Sequence, residues 1–113
     1  MYNENYYLEI SILSSILYAH HQCKDEQFFH EVELKEEYFT NGFNKLVARQ
    51  INENRDNNKP IFEEFIFEEL IKKRLIHDQI WNDIMRANPF GRRLFELYFE
   101  SIKSVNKEKI GAI

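Results

Sequence analysis

Cysteine is nearly missing from this sequence: Cys23 stands alone among 113 residues. No disulfide can form within the chain, and a reducing, cytoplasmic setting is expected. Glycine and proline are scarce too, at three and two residues. A many-stranded sandwich or barrel needs turn residues about every 8–12 positions, so this shortage argues against one. Gly42, Gly91 and Gly111 are too far apart to build G-x-x-x-x-G-K-[ST] or G-x-G-x-x-G, and the chain by itself is no P-loop ATPase. An excess of positive charge is also lacking. The net charge is −4 and the isoelectric point is near 5.6, whereas a dedicated nucleic-acid binder is usually basic. No apolar run approaches the roughly 18 residues of a membrane span. The opening MYNENYY has no basic segment of the kind that begins a signal peptide.

What the chain does hold is apolar and aromatic surface. Hydrophobic residues make up 43% and aromatics 15%, with ten phenylalanines. That is enough buried area to offset chain entropy, so order is expected over most of the length. The length suits a single domain, 1–113, able to bury a core without metals or disulfides, with 1–5 and 111–113 frayed.

The apolar spacing is helical throughout. Over 6–21, Tyr6, Ile10, Leu13, Ile16 and Leu17 fall on one side; Leu8, Ile12, Ser15 and Ala19 form a smaller stripe on the other. A helix apolar on two sides belongs between neighbours, so this one is expected at the centre of a bundle. A short helix over 25–33 is predicted with Asp25 as its cap and Phe28, Phe29 and Val32 inward, followed by one more turn in LKEEYF. Thr40 or Asn41 can cap a helix over 42–54 whose inward set is Phe43, Leu46, Val47 and Ile51. The polar stretch NENRDNNKP reads as a loop. FEEFIFEEL fails the strand template, because Phe65 and Phe67 share a parity with Glu63 and Glu69. As a helix over 61–73 it gathers Phe62, Phe65, Ile66 and Leu70 on one face, and Phe67 lies about 100° away. Asp78 can cap a helix over 79–88 with Ile80, Trp81, Ile84 and Met85 inward, ended by Pro89. A last helix, 91–109, is predicted to bury Leu94, Tyr98, Ile102 and Val105, leaving Phe99 and Ile110 off the stripe. The fold class is therefore all-α, a compact bundle of about six helices.

The chemistry available is thin. Glu63, Glu64, Glu68 and Glu69 read as a solvated acidic face, because the Glu-x-x-His that a di-metal carboxylate bundle requires is missing. His20, His21, Cys23 and His30 are zinc-compatible types, but they lack two closely spaced pairs, and adjacent histidines on a helix diverge by about 100°. Neither a metal nor a cofactor is expected, and no nucleophile-and-base signature surrounds Cys23. The clusters Lys72-Lys73-Arg74 and Arg92-Arg93 are diluted by acids and read as solvated helix ends. An interaction module is what remains, with Phe67, Arg92 and Phe99 as its expected contact residues, since off-stripe aromatics and arginine can anchor partners.

A resemblance sharpens this reading. LEISILSSIL (8–17) resembles the first helix of the N-terminal domain of bacterial DnaB-type replicative helicases, where an acidic residue precedes a run rich in small and apolar residues. EVELKEEYFTNGFNKLVARQINEN (31–54) is similar to that domain's Phe-containing turn and following helix, and NKPIFEEFIFEEL (58–70) to its loop-Pro-Ile helix start. WNDIMRANPFGRRLFELYFESIKSVNKEKI (81–110) is similar to its closing helices, including the proline after the fifth helix and a Tyr-x-x-x-Ile-Lys pattern. The C-terminal helicase-binding domain of DnaG-type primases shares that fold and is the alternative parent. The resemblance implies a non-enzymatic primosome module that docks on a replicative helicase or primase, forms a homo-oligomer, or both. The short apolar runs and the acidic charge balance, rather than the resemblance, leave no membrane contact and no direct grip on nucleic acid expected. The helicase motor is not in this sequence, and the family's helical hairpin is at most begun by the last helix. A rival of another class is a small metal-binding enzyme or sensor using His20, His21, Cys23 or His30; a further rival is single-strand DNA binding through the basic clusters.

Overall fold

Two apolar stripes on one helix need two sets of neighbours, and the first helix has them. In the computed structural model, which describes residues 4–21 and 25–111, with side chains over 6–21 and 25–104, α1 (Glu4–Leu17) packs against four other helices. These are α2 (Glu26–Glu31), α3 (Gly42–Asp56), α5 (Asp78–Arg86) and α6 (Arg92–Gly111). The sixth, α4 (Glu63–Lys72), lies on α3. Short 3-10 turns occupy Ala19–His21 and Glu36–Tyr38. There is no strand among the described residues. The radius of gyration, 13.4 Å, is close to the roughly 13 Å of a compact domain of this size.

The first stripe, Tyr6, Ile10, Leu13, Ile16 and Leu17, is buried; of the second, Ile12, Ser15 and Ala19 (on the turn that follows α1) are buried and Leu8 is half-buried. The small residues have a specific use. The Ser15 hydroxyl donates to the Ser11 carbonyl at 2.7 Å and accepts from the Phe90 amide at 2.7 Å. Ser14 donates to the Ala87 carbonyl. The turn around Pro89 therefore lies directly on α1, and two of its backbone groups are satisfied there.

Capping explains several boundaries. Asn41 starts α3: its side-chain oxygen accepts from the Phe43 and Asn44 amides at 2.9 and 3.1 Å. Asp25 precedes α2 but makes no side-chain cap bond. His77, rather than Asp78, caps α5, with Nδ1 accepting from the Ile80 amide. Asp78 is the first helical residue, where its charge suits the helix dipole.

The stretch NENRDNNKP is mostly helix, not loop, because α3 runs on to Asp56. Several of its polar side chains hold backbone. The Asn54 side chain donates to the Pro60 carbonyl at 2.8 Å, and Arg55 donates to the Phe29 and Val32 carbonyls at 2.8 and 2.7 Å. Those two carbonyls lie at the end of α2, where a cation is favoured. Burial without a carboxylate in contact pushes the Arg55 guanidinium below its ordinary value. Asn58 then takes a left-handed φ of 57°, and the Lys59 amide reaches back to the Asn54 carbonyl. That pattern closes the helix.

The inward faces need three corrections. Phe65 is exposed, and its ring turns toward Phe62, at 6.0 Å between centroids. Met85 is also exposed, where its sulfur accepts from the Tyr18 hydroxyl. On α6 the buried row is Phe95, Phe99 and Ile102, so Leu94 and Tyr98 face out. Cys23 lies outside the described residues, as do the side chains of Val105 and Ile110. No helix among the described residues is long and apolar enough to cross a membrane.

Candidate functional site

The rotation of α6 creates its most exposed apolar surface. Phe95 and Phe99 stack at 5.1 Å, and Phe95 meets the edges of Phe28 and Phe29 at 5.8 and 5.1 Å. With those rings inside, Leu94 and Leu97 are left 49% and 63% exposed, beside Tyr98. Phe90 lies flat against Tyr98 at 4.9 Å and braces its ring. Charged side chains border the other edge of the helix. Arg92 lies 4.3 Å over the Phe28 ring and bonds Glu96 at 3.1 Å; Lys103 lies 4.7 Å over Phe99 and bonds Glu100 at 2.8 Å.

The three expected contact residues separate. Arg92 is on the surface but on the opposite edge of α6 from this face, engaged with Phe28 and Glu96. Phe67 is a contact within the fold, stacked on Trp81 at 5.0 Å with ring planes 22° apart. Phe99 is buried, because α6 turns its phenylalanine row inward, so its ring offers nothing to a partner. Sequence reasoning missed Leu97. Its signal was present: Leu94 and Leu97 share a face at i, i+3 that the phenylalanine row does not need.

A second cluster lies where the turn after α1 meets the start of α4. His20 and His21 sit on the Ala19–His21 turn, and Glu63 opens α4. The His20 Nε2 is 3.6 Å and the His21 Nε2 3.8 Å from the two Glu63 oxygens. The imidazole rings are 3.9 Å apart, and Phe62 covers His20 at 4.1 Å. Tyr18 stacks on His21 at 5.8 Å. Burial, and secondarily the Glu63 charge, push the Tyr18 phenol above its ordinary value. The adjacent histidines thus converge although a regular helix would splay them, because a tight turn carries both to one carboxylate. His30 does not join them; it pairs with Glu26 at 3.7 Å.

The other acids and bases serve the surface. Glu64 and Glu68 are exposed, and Glu69 lies 3.8 Å from Lys59 and 3.6 Å from Lys72. Glu63 departs from that face because the first turn of α4 is tucked against the two histidines. Lys73 bonds Glu53 and Gln50, so part of the Lys72-Lys73-Arg74 cluster is occupied internally. Comparison with known proteins gives no match to any family, any curated protein or any solved structure.

Proposed function

We propose that this chain is a non-catalytic protein–protein interaction module, and that the outer face of α6 is its docking surface. The observation that carries this is the exposed row Leu94, Leu97 and Tyr98 on a helix whose core side is already filled. An apolar row at i, i+3, i+4, bordered by charge, is the form of surface that receives an amphipathic partner helix. Tyrosine, here Tyr98, is a type that anchors such interfaces.

The partner is a component of a bacterial replication complex, a replicative helicase or a primase, and the setting is cytoplasmic. Support comes from the order of elements in the sequence: an acidic residue leading a small-residue helix, the Phe-containing turn before α3, and the proline between α5 and α6. The helicase N-terminal domain is the nearer parent and the primase C-terminal domain the alternative. Fold likeness does not by itself carry function, so the partner is decided by experiment.

Purified chain is tested for complex formation with the helicase and primase of its own organism. Binding to one of them, weakened about tenfold or more by the pair Leu94→Ser and Leu97→Ser, is the expected result. Both side chains are exposed, so helical content and melting stay unchanged. Binding to neither protein removes the replication assignment. Binding that ignores the pair removes α6 as the surface.

A further inference from the structure

We propose that His20, His21 and Glu63 form a binding site for one divalent cation of the zinc class. The proposal is independent of docking through α6. Each of the three offers a ligand atom, and these atoms all lie within 4.8 Å of one another. Two imidazoles and one carboxylate make a donor set that zinc takes readily, with a fourth position left for water.

Three donors meeting at one point, rather than a single pair such as His30 with Glu26, set this cluster apart. At 3.6 and 3.8 Å, the two histidine–glutamate gaps are too long for hydrogen bonds. A tetrahedral zinc with bonds of about 2.0–2.1 Å sets its ligand atoms roughly 3.3 Å apart, so donors that lie within 4.8 Å of one another must close by up to about 1.5 Å. The polar atoms here also want partners. Glu63 Oε2 and His20 Nδ1 are both buried and have no hydrogen-bond partner. Protein structures rarely leave a carboxylate oxygen in that condition without an ion or water to meet it.

The surroundings hold the donors in place. Buried Ala19 anchors the turn, the Phe62 ring lies over His20, and Tyr18 lies against His21. His21 is on the solvent side, with 62% of its side chain exposed, so the open position and the route of entry are there. The bound ion would fasten the end of α1 to the start of α4. Binding to the folded chain alone then raises its melting temperature.

The chain is stripped with a chelator and titrated with Zn2+ by calorimetry and with Co2+ by visible absorption. One ion per chain is expected, with a tetrahedral cobalt spectrum and a rise in melting temperature. Loss of a residue that merely hydrogen-bonds a metal's ligand costs about 10–100-fold in affinity, so loss of a ligand through His21→Ala or Glu63→Gln should cost at least the upper end of that range. Glu26→Gln, beside His30, leaves affinity unchanged. His21 is exposed, so circular dichroism of His21→Ala should match the parent. The proposal is overturned if no ion binds stoichiometrically, or if binding survives both His21→Ala and Glu63→Gln. It is equally overturned if Glu26→Gln weakens binding as much as they do.

Discussion

The backbone amide and the hydroxyl of Thr40 both donate to Oε2 of Glu9, at 2.9 and 2.6 Å. The other oxygen accepts from the Asn41 amide at 3.3 Å and the Asn44 side chain at 3.2 Å. This carboxylate is fully buried on α1, and every one of those donors is neutral and sits at the entry to α3. Glu9 therefore fixes where α3 begins relative to the central helix. Glu9→Ala leaves these donors buried and unmet, and each such group costs about 1–3 kcal/mol. The expected loss is about 3 kcal/mol or more in denaturant unfolding, with an unchanged m-value. Glu9→Gln keeps one acceptor and should lie between. A Glu9→Ala chain as stable as the parent would show that the Thr40–Asn44 segment is positioned by something else.

The register of α6 separates two leucines from two phenylalanines along the same helix. Phe95 is fully buried among Phe28, Phe29 and Phe99, so Phe95→Ala should cost about 3–5 kcal/mol. Leu97 is exposed, and Leu97→Ala should stay within about 0.5 kcal/mol of the parent. Thermal melts of the two variants read this directly. A reversed order would mean that α6 presents its leucines to the core.

That register is also where the sequence was hardest to read. Residues 94–102 carry two neighbouring apolar rows, Leu94-Leu97-Tyr98 and Phe95-Phe99-Ile102, separated by less than a quarter turn in places. Periodicity alone cannot choose between them; the bulk of the phenylalanines does, because each buries more area. By contrast, α1 was legible because its two stripes differ in size and both had to be covered. A cap at Thr40 or Asn41 was legible for a local reason, since a short polar side chain before an apolar run has few better uses, but the choice of Asn41 was not, because Glu9 takes Thr40. The end of α3 was not legible. Asn54 and Arg55 look like loop residues until the carbonyls of Pro60, Phe29 and Val32 are seen beside them. Glu63 was hidden in the same way, among glutamates that do face water.

The end of α4 carries a residue in an unfavourable conformation. Arg74 has a φ of 58°, its amide bonds the Ile71 carbonyl at 2.9 Å, and the Leu75 amide bonds the Leu70 carbonyl at 3.0 Å. This is the helix-ending pattern in which glycine is the usual left-handed residue. A side chain there costs roughly 1–2 kcal/mol relative to glycine. Arg74→Gly should therefore stabilise the chain by about 1 kcal/mol, once the greater freedom of glycine in the unfolded state is subtracted. The melting temperature should rise by a few degrees. A fall would place the value of Arg74 in contacts of its side chain rather than in its backbone.

Acid should weaken the fold through two carboxylates on or against α3. Hydrogen bonds from Lys73 and Gln50 hold Glu53 below the usual carboxylate range, and a two-pronged bond from Arg49, at 2.7 and 3.0 Å, does the same for Glu36. In the unfolded chain both return to about 4.3. Between the folded and unfolded values the unfolded state binds more protons, so stability rises with pH across that window. The contribution is complete above the unfolded value and is lost as pH falls through the folded ones. Both groups are at the surface, so the effect is modest and weakened by salt. Replacing the two cations together, by Lys73→Met and Arg49→Met, should lower stability at neutral pH and flatten the acid limb below about pH 5. Denaturant midpoints collected from neutral pH downward at low salt would show it. An acid limb of unchanged steepness in the double variant would assign the loss to other carboxylates.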